Sequence, residues 1–175
     1  MTLRDKLFGF RGRVRRQDWW LLGILVGIAQ LVTMFAAASV HGALNPGAAI
    51  AEAPFYDLLN RVPVWISLPI HLVFLWPTLS LSVQRYHDRN HSAWPIFAYY
   101  AVLYGADYLP EQAWGWLSAL DNTQQGIVLF VWGAIWIVAA IGILIVLGFL
   151  DGTQGPNRYG PSPKGIGGPP ATVFD

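Results

Sequence analysis

The chain has 175 residues, 54% of them apolar and 12% charged, with a formal net charge of +1 and no cysteine. A chain of this length is one domain at most, and that balance is wrong for a soluble one, which points to an all-α integral membrane protein. The missing cysteines exclude disulfides, iron–sulfur clusters and thiolate zinc sites; no other cofactor is implied, and no nucleic-acid-binding module has room.

In chain order, residues 1–18 form a basic amphipathic lead-in, with Leu3, Leu7, Phe8 and Phe10 interleaved among basic residues. Such a segment can lie in the headgroup layer. Four apolar blocks follow, at about 19–40, 62–83, 93–109 and 126–150, close to the ~20 residues that a bilayer core demands of a helix. Trp19-Trp20 mark the interface where the first block begins, and Gly23 and Gly27 form a small-xxx-small pair. Ala36-Ala37-Ala38 looks like a signal-cleavage site, but the apolar stretch before it exceeds the ~7–15 residues of a signal core. The first block is therefore expected to be a retained helix. In the second, Pro69 and Pro77 remove backbone hydrogen bonds and predict a kink. His71 lies near its centre with no charged residue at matching depth in the other blocks, so it is read as a neutral packing histidine. The third block is aromatic-rich and short, ending near Asp107 and Pro110. Residues 111–124, with Trp114, Trp116 and Leu117, are expected to rest on the outer surface. The fourth block carries no charge and stops at Asp151-Gly152. The tail, 151–175, is rich in Gly and Pro, predicting an extended course from Gly155 and disorder after about 163.

If all four blocks span, ten of the eleven Lys and Arg residues fall on one side, and only Arg61 on the other. Positive charge collects on the cytoplasmic side, so both termini are expected there. Were the third block not to span, Arg158 and Lys164 would cross over and the count would become eight to three. Charge thus prefers four transmembrane helices.

Three polar segments share that basic side. Phe10-Arg11-Gly12-Arg13 leads to Arg16 and Trp19-Trp20. Arg85-Tyr86-His87-Asp88 leads to Ser92-Ala93-Trp94. The third runs from Gly152 through Gly155, Asn157, Arg158 and Tyr159 to Gly160. In this order they resemble the bacterial inner-membrane family known as domain of unknown function 805. Its pattern is F-x-G-R-x-x-R-x-x-[FW]-W, then R-x-H-D with S-[GA]-W, then G-x-x-G-x-N-x-[YF]-G. The resemblance covers nearly the whole chain and implies a four-helix, multi-pass protein of the inner (cytoplasmic) membrane with no established activity.

The candidate site is Arg13, Arg16, Arg85, His87, Asp88, Asn157, Arg158 and Tyr159, with residues 85–88 placed in the short loop between the second and third blocks. Two readings compete. In one, the segments form a polar clasp, with Asp88 paired to an arginine and His87 and Asn157 bonded to loop backbone. In the other, the excess of arginine binds phosphate oxygens of an anionic lipid or lipid-like metabolite, framed by Tyr86, Trp94 and Tyr159. There, lysine at 13, 85 or 158 would keep part of the function. A membrane-protein partner or a second copy is a further candidate for this face. A small oligomeric channel or transporter would have only Gln30, Thr33, His71, Thr78, Ser80 and Ser82 to line a path. A headgroup enzyme would use His87 as base with Asp88 orienting it. His87 and His91 also mimic a zinc-helix spacing, but Asp88 is shorter than the usual Glu and a third ligand is lacking.

Overall fold

The computed structural model describes residues 1–45, 62–107 and 115–167. Arg61 and Trp114, on which parts of the topology reading rest, lie outside them. The elements among the described residues are all helices, with no strand beyond one isolated bridge. Helix α1 is Leu3–Phe8, α2 Arg16–Leu44, α3 Val64–Asp88 and α4 Trp94–Asp107. A 3-10 turn, Gly115–Ala119, precedes α5, Asn122–Leu144, which runs on into a π-helical turn, Ile145–Phe149.

Three of these helices are long and apolar enough to cross a membrane: α2, α3 and α5 with its π turn. At 1.5 Å per residue, the 29 residues of α2 reach about 44 Å. The 14 residues of α4 reach only about 21 Å, short of the ~30 Å core.

Local chemistry sets the helix starts. Thr2 and Asp5 close a capping box at α1, and hydrogen bonds from the Thr2 backbone and hydroxyl hold the Asp5 carboxyl below its ordinary value. Asp121 and Gln124 form the same device at α5, so that helix begins four residues before the apolar block that marks it in the sequence. Helix α3 is continuous through Pro69 and Pro77. His71 lies on it with its Nδ1 2.8 Å from the Ser67 carbonyl oxygen, the local hydrogen bond a packing histidine needs.

Helices α2 and α3 pack antiparallel. At one end Met34, Ala38 and Val62 form a small core. At the other, Val83, Ile96 and Leu147 do, ringed by Phe10, Trp19, Tyr86 and Tyr100. Most of α5 has no buried residue and turns Phe130, Ile137 and Val138 outward. Such a face is stable where the surroundings are as apolar as the side chains.

The lead-in docks on protein through α1. Gln84 Nε2 donates to the Asp5 and Lys6 carbonyls at 3.0 and 3.1 Å, the Ser80 hydroxyl donates to Lys6 at 2.9 Å, and Trp76 Nε1 donates to Phe8 at 3.2 Å. Lys6 pairs with Asp18 of α2 at 2.8 Å. These contacts leave α1 held against the polar end of α3.

Candidate functional site

The last turn of a helix leaves four carbonyls without intrahelical donors, and at a membrane boundary each needs a partner. At the end of α5 the partners are side chains from α2 and α3. Arg85 Nε donates to the Leu147 carbonyl at 2.8 Å. Trp20 Nε1 donates to Gly148 at 2.9 Å, and Arg16 Nη1 to Phe149 at 3.0 Å. Arg85 Nη2 then reaches the Leu150 carbonyl. Arg16 and Trp20 are four residues apart in the first turns of α2, so they project from one face and meet consecutive carbonyls. Close approach requires Gly148, where a Cβ would stand 2.8 Å from the Trp20 ring.

Asp88 organises the rest. Its Oδ1 accepts from Arg13 Nε at 3.0 Å and Nη2 at 2.9 Å, and its Oδ2 accepts from Arg85 Nη1. All three residues are buried, with exposures of 3% for Arg13, 1% for Arg85 and 4% for Asp88. The carboxylate sits at the C-terminus of α3, against the helix dipole, and two guanidinium groups compensate. The Asp88 carbonyl accepts from the Thr153 amide at 2.8 Å and hydroxyl at 3.0 Å.

Arg13 ties down the tail. Its Nη1 donates to the Gly155 carbonyl at 2.7 Å and Gly160 at 3.2 Å, and its Nη2 to Thr153 at 2.8 Å. Residues 157–160 form a tight turn, with reciprocal bonds of 3.0 Å between Asn157 and Gly160. The segment after Gly155, extended by composition, is thus shaped in part by one arginine. Gly155 and Gly160 have φ of +75° and +133°, a left-handed region open to glycine at low cost.

All eight candidate residues meet at this end. Asn157 donates to the His87 carbonyl at 3.0 Å and to the Thr153 hydroxyl at 2.9 Å. His87 stacks on Tyr159 with centroids 3.8 Å apart, and the Arg158 guanidinium lies 4.7 Å from the centroid of the same ring. Arg158 also donates to Asn90 at 3.0 Å. Trp94 points outward and Tyr86 packs into the core cluster, so of the expected aromatic frame only Tyr159 belongs to the site.

One expectation changes in kind: Arg85, His87 and Asp88 form the last turn of α3, five residues beyond the apolar block. Their polar groups are tolerated on a helix because donors and acceptors from the two chain ends meet them there. Both Asp88 oxygens are held by guanidinium groups, which leaves His87 no carboxylate to orient it as a base. Asn90, with φ of 61°, reverses the chain after α3, so His87 and His91 share no helical face. Lysine cannot replace Arg13 or Arg85 on this geometry, since an ammonium lacks the planar fork that serves carboxylate and carbonyls together.

Gln84, Ser80, Trp20, Gly152 and Thr153 belong to the same assembly and were not singled out as site residues from the sequence. For Gln84 and Ser80 the signal was present, as polar residues closing an apolar block. Gly152 opens the third motif, but what it does there is visible only in the approach of Asp88.

A second feature borders the clasp. Arg15, Arg16, Arg85 and Lys164 line a cleft of about 270 Å³ together with Gln17, Asp88, Asp151 and Gly152. Arg16 lies 3.5 Å from Asp151 and stays half exposed. The cleft abuts the start of α2, where Arg15 at the cap position supplies no side-chain acceptor.

The family model described as "Protein of unknown function (DUF805)" matches residues 7–161. The chain is 28% identical over 163 residues to "Uncharacterized protein YiiR" of Escherichia coli strain K12, covering 91% of this chain and 89% of the relative. It is 26% identical over 156 residues to "Inner membrane protein YhaH" of that organism, covering 89% and 88%. To "Inner membrane protein YhaI" it is 22% identical over 172 residues, covering 94% and 93%. No solved structure matches the chain. The three motifs that build the clasp all lie within the matched span, and the chain is a membrane protein that belongs to the DUF805 family.

Proposed function

We propose that this is a non-enzymatic, four-span protein of the bacterial inner membrane, with both termini cytoplasmic, whose cationic cleft binds the headgroup of an anionic phospholipid. The names of YhaH and YhaI support the location. Connectivity supports the span count: α3 ends at the clasp and so does α5, so the chain between must leave that end and return. Helix α4 starts beside the clasp and is the outward leg. The basic residues gathered at the clasp support the orientation. The chain has no cysteine, so single-cysteine variants report topology without background. Cysteines at Thr2, Ser92 and Ser162 are expected to react only with reagent on the cytoplasmic side, and one at Asn45 only from outside. Labelling of Ser92 and Ser162 from opposite sides would sink the four-span reading.

The observation that carries the binding reading is the division of labour among the basic residues. Arg13 and Arg85 are buried against Asp88 and carbonyls, while Arg15, Arg16 and Lys164 stay exposed around the cleft, Arg16 with one carbonyl bond to Phe149 and Arg15 with one to Pro163. Four cations face two carboxylates there, one of which is already bonded to two arginines. A phosphate suits that excess, and the amides at the start of α2 add to it. The channel reading is weaker, since the Thr33 and Thr78 hydroxyls bond to their own helices, Ser80 to Lys6 and Ser82 to Tyr100.

In nanodiscs of phosphatidylcholine doped with phosphatidylglycerol, native mass spectrometry should find phosphatidylglycerol preferentially retained. Glutamine at positions 16 and 164 still donates hydrogen bonds but carries no charge. At about 1 kcal/mol per basic residue, Arg16→Gln with Lys164→Gln should weaken retention roughly 30-fold, and more salt should reduce it further. Lipid content equal in wild type and variant would overturn the reading and favour a protein partner or second copy.

A further inference from the structure

About one helical turn from the cleft, with no lining residue in common, lies an apolar cavity of about 280 Å³ walled by Trp19, Trp20, Gly23, Thr78, Leu81 and Tyr100. Its walls belong to the faces of α2 and α3 that carry the cleft. Along α2, Arg16 lines the cleft while Trp20 and Gly23, one and two turns on, line the cavity. Along α3, Arg85 lines the cleft while Leu81 and Thr78, one and two turns away, line the cavity. The vertical offset is therefore about one helical turn, 5.4 Å. The polar groups of the wall are satisfied, with Thr78 bonded to Phe74 and Ser82 to Tyr100. Ile24, half exposed, stands at its rim, so the opening faces the surrounding bilayer. A hollow of this size between helices loses contacts along its walls unless something fills it.

We infer that this cavity receives an acyl chain of the lipid whose phosphate occupies the cleft, so that cleft and cavity form one two-part site for an anionic glycerophospholipid. The inference rests on the headgroup reading above and deepens it. A charged cleft alone attracts any anionic surface without stoichiometry. A cleft stacked on a chain-sized apolar cavity selects a molecule with a phosphate at one end and hydrocarbon immediately below. The volume is near the lower end of the roughly 300–1,000 Å³ typical of ligand pockets, which suits part of one chain and leaves the remainder in the bilayer. Two indoles and a tyrosine supply the rigid wall.

Gly23 makes the test clean, because a Cβ built there meets nothing within 4 Å, and the same holds for Gly27, which is outside the cavity lining. Gly23→Leu should fill the cavity without touching any charge, and Gly27→Leu is its control. With phosphatidylglycerol in the nanodiscs described above, wild type and Gly27→Leu should retain one lipid per chain through mild activation. Gly23→Leu should retain it at least about tenfold less, the equivalent of roughly two buried methylenes lost, while keeping the wild-type melting temperature. Glycerol phosphate, the headgroup chemistry without chains, should fail to displace the lipid at matched concentration.

If Gly23→Leu retains lipid as wild type does while Arg16→Gln with Lys164→Gln loses it, the acyl-chain inference falls and the headgroup reading stands. If neither variant changes retention, both fall. Should Gly23→Leu unfold, Ile24→Trp at the rim replaces it, and undiminished retention there overturns the inference equally.

Discussion

Replacing Asp88 with asparagine is expected to be the most damaging single change in the described residues, lowering stability by about 3–5 kcal/mol, the range for removing one partner of a buried ion pair. The substitution is nearly isosteric, so packing is preserved and the effect is electrostatic. Arg13 and Arg85 would face each other with no anion between them, and both are almost wholly out of solvent. Screening by water is correspondingly small, unlike that at the exposed pairs of this protein, which contribute ~0–1 kcal/mol. Thermal unfolding of the detergent-solubilised protein, followed by intrinsic tryptophan fluorescence, measures it. A shift of less than a degree or two would mean that the carboxylate is not the anchor of the clasp. Replacing all three charged residues by apolar ones, which is neutral or stabilising in some buried triads, should fail here. Arg13 and Arg85 also serve the carbonyls of Gly155, Gly160, Leu147 and Leu150, and an apolar triad would leave these without donors.

The second large effect is expected at Gly152. A Cβ at this position would overlap the Asp88 carboxylate. That group cannot move aside, because guanidinium groups hold both oxygens and the following amide, Thr153, is bonded to the Asp88 carbonyl. Gly152→Ala should therefore cost at least the ~1–3 kcal/mol typical of an overpacked site, and Gly152→Val more. Gly126→Ala, inside α5 where a Cβ meets nothing within 4 Å, is the control and should leave the transition unmoved or raise it slightly, since alanine favours a helix over glycine. Equal melting of Gly152→Ala and Gly126→Ala would show that the approach of Asp88 to the chain at Gly152 is looser than described.

Sequence and tertiary structure divide this protein along a physical line. Membrane class was legible because it follows from apolar length, a property summed along neighbouring residues. The gathering of basic residues at the clasp was legible because it needs only the positions of charges relative to the ends of the blocks. The convergence of the three motifs followed from both, since segments flanking the same ends of successive helices must meet. Helix starts were less legible: the boxes at Thr2–Asp5 and Asp121–Gln124 carry the Thr/Asp-x-x-acid/amide signature, yet apolar content alone starts α5 at Gly126. What only the tertiary structure decided is how the basic residues are used. Arg13 and Asp88 are 75 positions apart, and no local pattern reports that their side chains share a buried contact. The same holds for Arg85, whose carbonyl partners lie 62 and 65 positions away. An arginine left exposed at the end of a helix and an arginine buried against the ends of other helices look alike in a chain of letters. They differ in how much water is excluded around them, and that is set by how whole helices pack.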